Sequence, residues 1–139
     1  MVMLKILAAG VIAGILANVT GYLITGRIFH SYQAKTPGTW RAAESSTHYQ
    51  YAGLIRISAC IGIALVYVLL GDRSALGTNP ISRATGFGTM IWAVTILPLL
   101  LEVTLFVNWH RGFVVGLLLD WLVVCVLASV AAGVAVGAV

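Results

Sequence analysis

The sequence predicts an all-α protein: a four-helix transmembrane bundle in a single integral membrane domain, 1–139, with an interfacial helical segment between helices 1 and 2. Composition is the first reason. Of 139 residues, 60% are hydrophobic and only 9% carry a formal charge, whereas a water-soluble domain carries about 25% charged residues. Eight Lys/Arg and four Asp/Glu cannot coat a particle of 14.7 kDa, so most of its surface meets lipid rather than water. The second reason is pattern. The apolar residues fall into four runs, each near the roughly 20 residues that cross about 30 Å of hydrocarbon.

The first run covers 6–25 and follows Lys5. A cleaved signal peptide opens the same way, but this stretch exceeds the apolar core of about 7–15 residues typical of one. Gly10, Gly14 and Asn18 recur every four residues, a spacing that puts them on one helix face, and small residues mark faces where membrane helices approach closely. The connection that follows is no floppy linker. Pro37-Gly38 signals a turn, Thr39 reads as a helix cap, and Trp40-Arg41-Ala42-Ala43-Glu44 are good helix formers, so a helix is expected from near Trp40 into the second span. Phe29, Tyr32, Trp40, Tyr49 and Tyr51 give this stretch the aromatic density of a segment at headgroup level.

The second run covers 53–70 and the third 86–107. Within the third, Pro98 leaves the carbonyl of Val94 without its usual helical partner, which kinks a helix and opens a polar pocket. A tight turn, Asn108 to Gly112, leads into the fourth run, 113–135. Here Gly112, Gly116 and Asp120 repeat the four-residue spacing of the first helix, and the Ala/Gly/Val-rich stretch from Ala128 suits close packing. Cys60 and Cys125 sit inside apolar runs with no C-x-x-C spacing and read as packing residues.

Four crossings put both ends of the chain on one side, A. Lys5, Arg73 and Arg83 lie there, while Arg27, Lys35, Arg41, Arg56 and Arg111 lie toward side B. That bias makes side B cytoplasmic and both termini non-cytoplasmic. The net charge of +4 comes from single basic residues beside apolar runs rather than a cluster, so they anchor the membrane edge and no nucleic-acid partner is expected.

Polar groups inside the apolar runs are costly and therefore informative. With a rise of about 1.5 Å per residue, Glu102 lies about 9 Å below Asn108, Asp120 about 12 Å below Gly112, and Asn18 about 12 Å from Gly26. All three share a leaflet on side B, and a polar intramembrane cluster of Asn18, Glu102 and Asp120, joined by Arg56 or Arg111, is the candidate binding site. Gly10, Gly14, Gly112 and Gly116 are the expected helix-packing positions. The competing reading is that the charged pairs serve packing alone.

His30, His48 and His110 all fall at the side-B interface. Glu44 and His48 are four apart and would share a helix face, an arrangement that could begin a metal site, but an interfacial His–Glu pair is the preferred reading. No metal site and no cofactor are assigned. No catalytic residue is assigned either: G-x-S-x-G, a Walker A loop and a dinucleotide fingerprint are all missing from the sequence. Asn108-Trp109-His110-Arg111 reads as an interfacial anchor whose Arg111 can meet a lipid phosphate.

Four helices, an aromatic-rich stretch after the first and a tight third turn after a helix bearing Glu102 and Asn108 resemble, in layout, a small bacterial inner-membrane family with no assigned activity. The resemblance spans the whole chain and carries no diagnostic motif. It implies a four-helix fold in the bacterial cytoplasmic (inner) membrane.

Three functions compete. The preferred one is a non-enzymatic membrane protein acting by association, as an accessory subunit of a membrane complex or a homo-oligomer, with membrane lipids and other membrane subunits as partners. Its warrant is that glycine faces on the first and fourth helices exceed what a small bundle needs internally. The second is a small transporter or ion conductor with Glu102 and Asp120 on its path. The third is an enzyme acting on lipid headgroups at side B.

Overall fold

The computed structural model describes residues 2–40, 45–71 and 76–137, and among them every regular element is helical. Helix α1 is Val2–Leu23, continued by a π-helical turn, Ile24–Ile28. Short 3₁₀ turns, His30–Lys35 and Pro37–Thr39, form the connection. Helix α2 is Ser46–Leu70. The third span comprises α3, Pro80–Ile91, a π turn, Trp92–Ile96, and α4, Leu97–Phe106. Helix α5, Arg111–Val136, completes four helices long and apolar enough to cross a membrane, and the protein is a polytopic integral membrane protein.

Each helix runs beyond the apolar segment legible in the sequence. At α2 and α3 the extra turns are polar and capped: Ser45 and His48 form a reciprocal capping box at the start of α2, and Asn79 and Ser82 do the same for α3, with Pro80 in its first turn. At the far end of α5, Gly137 takes φ +75°, a left-handed conformation in which a Cβ would be strained. The expected helix from Trp40 is not found. Trp40 is extended, Thr39 donates its hydroxyl hydrogen to the carbonyl of Asn108 at 3.0 Å instead of capping, and 41–44 lie outside the described residues.

The central unit is a triangle of α1, α2 and α5. Ala13 and Ala17 of α1, Cys60 of α2, and Val124 and Ala128 of α5 are all fully buried where the three meet. Helices α1 and α2 are locked in an antiparallel ladder: Gly10 faces Ile61, Gly14 faces Ile57, and Asn18 faces Gly53. A Cβ on Gly14 would lie 2.7 Å from the Ile57 Cα, so bulk there must push backbone, not merely rotate a side chain. On α5, by contrast, Gly112 and Gly116 seat aromatic rings. A Cβ on Gly116 would lie 2.6 Å from the Phe29 ring and one on Gly112 2.8 Å from that of Tyr32. The reading of those two glycines as helix-packing positions is thereby corrected. Their small size lets the 26–40 connection fold over the start of α5, where Trp40 packs edge-on against Phe113 at 4.8 Å.

The third span joins on the opposite side of α5. Gly88 brings α3 close enough that a Cβ would meet the Cys125 carbonyl oxygen at 2.6 Å, and Tyr67 and Phe87 pack edge-to-face at 5.4 Å. One π turn later the span departs from the bundle. The π turn lies just before Pro98, and Leu97 donates its N–H to the Trp92 carbonyl, which absorbs the break that proline imposes on the ladder. Trp92 donates its indole N–H to the carbonyl of Leu118 at 2.9 Å. Beyond this tether α4 has no buried residue.

Candidate functional site

Asp120 is, among the described residues, the charged one hidden most completely, with 0% exposure. It faces the triangle because it follows Phe113 and Gly116 and precedes Val124 and Ala128 along the buried side of α5. The α1–α2 ladder brings Arg56 to the same level, and its two terminal nitrogens donate to the two carboxylate oxygens at 2.8 and 2.7 Å. This fork-to-fork geometry is the strongest arrangement available to the two groups. Arg56 also donates to the Ala17 carbonyl at 2.8 Å, and its guanidinium lies 5.7 Å from the Trp121 ring centre. Space for it comes from Gly21, where a Cβ would collide with the guanidinium.

Asn18 stands beside the pair. Its amide donates to the Gly14 carbonyl at 2.9 Å and, across the ladder, to that of Gly53 at 3.4 Å. A cavity of about 360 Å³ opens here, lined in part by Asn18, Gly21, Tyr22, Thr25, Gly53 and Arg56. Three of the expected cluster residues, Asn18, Arg56 and Asp120, thus come together at one depth, contributed by α1, α2 and α5.

Glu102 and Arg111 do not join them. Both are exposed, and neither has an ion pair among the described residues. Depth along a helix says nothing of azimuth. Asp120 looks toward α1 and α2, whereas the third span meets α5 on another side and α4 buries none of its residues. A cluster containing Glu102 is therefore corrected to one without it.

The histidines also separate. His48 accepts the Ser45 backbone N–H on Nδ1 at 3.2 Å. His110 accepts the Gly112 N–H on Nδ1 at 3.0 Å, its ring stacked on Tyr32 at 4.7 Å. His30 begins a 3₁₀ turn and is exposed. Among the described residues no three His, Cys, Asp or Glu gather as a metal site would require, and Glu44, the suggested companion of His48, lies outside them.

Gly53, Ala17 and Trp121 serve this site without having been singled out in the sequence. The readable signal for Gly53 was the series Gly53, Ile57, Ile61 at spacing four, a mirror of Gly10, Gly14, Asn18. Ala17 contributes only its carbonyl, for which the sequence offers no mark. Comparison with family models, curated proteins and solved structures gives no match, so the likeness of layout brings no family with it, and the functional reading stands on geometry.

Proposed function

We propose that the protein acts by association in the membrane, with the outward face of α4 as its contact surface. One observation carries the reading: Glu102 projects a carboxylate from a face of a membrane-spanning helix that the described residues leave uncovered. Leu99, Glu102, Leu105 and Phe106 share that face by helical spacing, and Leu105 and Phe106 are 79% and 84% exposed. A carboxylate in lipid costs about 2.5–3.5 kcal/mol at the membrane centre and less toward the edge, and α4 ends only four residues, about 6 Å, beyond Glu102. A cation or hydrogen-bond donor on a neighbouring chain relieves that cost and gives the contact its specificity.

This support differs from that of the sequence. The glycine faces are consumed within the chain, by α2 and by the aromatic connection, so they no longer argue for association. A conduction path is less well supported, because the two carboxylates it would string together lie on different sides of α5 and Asp120 is already neutralised by Arg56. We place both termini on the non-cytoplasmic side, following the distribution of basic residues; the bacterial inner membrane is the setting that the layout alone suggests.

The test is the mass of the particle extracted in lipid nanodiscs. Wild type is expected as an assembly, of itself or with another subunit, and Glu102→Lys as a monomer with unchanged helicity. A charge-assisted hydrogen bond worth about 1.5–3 kcal/mol makes Glu102→Gln weaker by about 10- to 150-fold. A monomeric wild type would overturn the reading, as would an assembly indifferent to Glu102→Lys.

A further inference from the structure

We propose that the cavity between α1 and α2 above Arg56 is a binding site for an anionic phosphate group, presented by a membrane lipid. It is independent of association through α4, since it lies on other helices. A guanidinium carries five N–H donors, and three of those on Arg56 are spent, two on Asp120 and one on Ala17. The remaining two, Nε–H and the second Nη2–H, have no acceptor among the described residues, although the side chain is only 17% exposed. Unsatisfied donors on a cation are expensive where water is scarce.

The surroundings point to the kind of acceptor that completes them. Arg56 lines the cavity of about 360 Å³ at the level of Asp120, in the side-B half of the bundle, where an anion entering from the headgroup side can reach its free N–H edge. Gly21, Gly26 and Gly53 are on the cavity wall. Tyr22, also on the wall, holds Arg27 over its ring at 5.8 Å, which places a second cation at the rim. Among the described residues, Arg56 and Arg27 against Asp120 leave one net positive charge, and no carboxylate is among those that line the space. An anion therefore fits better than a zwitterion, and the planar edge of arginine suits phosphate oxygens.

The probe is native mass spectrometry of protein exchanged into mixed micelles containing phosphatidylglycerol or phosphatidylcholine. Wild type is expected to retain one phosphatidylglycerol at least tenfold more strongly than phosphatidylcholine. Gly53→Leu, which fills the cavity, should lose that preference, while Val11→Leu, lipid-facing elsewhere on α1, should keep it. Should Gly53→Leu misfold, Arg27→Gln at the rim serves instead, with retention lowered about fivefold. Displacement of the bound lipid by millimolar inorganic phosphate supports a site that reads the phosphate itself, and retention despite it supports a site that needs the acyl chains too. Equal retention of both lipids, or equal retention by wild type and Arg27→Gln, overturns the proposal.

Discussion

Replacing Arg56 by leucine leaves the Asp120 carboxylate at 0% exposure without the two hydrogen bonds, 2.8 and 2.7 Å, that hold it. Breaking a buried pair from one side costs about 3–5 kcal/mol, because an uncompensated charge or a forced protonation remains. By the tenfold-per-1.4 kcal/mol rule this is about a 100- to 4,000-fold fall in the folded-to-unfolded ratio. The opposite deletion is milder. In Asp120→Asn the stranded group is Arg56, which is 17% exposed, keeps its bond to Ala17 and can still reach toward headgroups on its long stem. The double variant Arg56→Met with Asp120→Leu removes both charges and should recover most of the loss, since apolar replacements of whole buried pairs are often neutral or better. Reversible unfolding in mixed detergent micelles, followed by tryptophan fluorescence, measures all three. The order expected is Arg56→Leu worst, Asp120→Asn intermediate and the double variant near wild type. A double variant as unstable as Arg56→Leu would refute the reasoning, since the penalty could not then come from a stranded carboxylate.

Other consequences are separately measurable. Gly14→Leu should destabilise by about 1–3 kcal/mol or prevent folding, by forcing α1 from the Ile57 backbone, and Val11→Leu should be silent; both are read in the same unfolding assay. Gly116→Leu should evict the Phe29 ring while leaving the helical bundle intact, seen as faster proteolysis in 29–40 at unchanged helicity. If side B is cytoplasmic, a cysteine at Ala34 should be shielded from an impermeant thiol reagent in intact cells and one at Thr78 labelled; the converse pattern would invert the topology.

How much of this was legible in advance depends on which physical signal each feature leaves. Membrane spans announce themselves because lipid demands long apolar runs, and four were readable to within a few turns. Their polar first turns were not, since Ser46 to Ala52 and Pro80 to Thr85 look like loop until their caps are seen. Depth of the intramembrane polar residues was readable from helical rise, which put Asn18, Glu102 and Asp120 at one level; that Arg56 is the partner of Asp120 comes from the structure. Azimuth was not. Nothing local tells α5 which of its sides meets α2 and which meets α3, and that choice sends Asp120 to Arg56 and Glu102 outward. The α5 glycines misled for a related reason: a small residue reports close approach, not what approaches, and Phe29 and Tyr32 fill Gly116 and Gly112 as well as a helix would. Pro98 signalled a break, and the structure shows how the chain absorbs it, by one wide turn that releases α4 from the bundle.

Disulfide scanning along 97–106 in native membranes tests the contact role of α4 most directly. Cys60 and Cys125 are buried and do not compete with introduced thiols. Single cysteines at Leu99, Leu105 and Phe106, around Glu102, should cross-link to a neighbouring chain under mild oxidation, while cysteines at Ile12 and Leu16 on exposed α1 should not. Cross-linking should also disappear when Glu102→Lys is added. Uniform reactivity at all five positions, or cross-links that survive Glu102→Lys, would contradict the account.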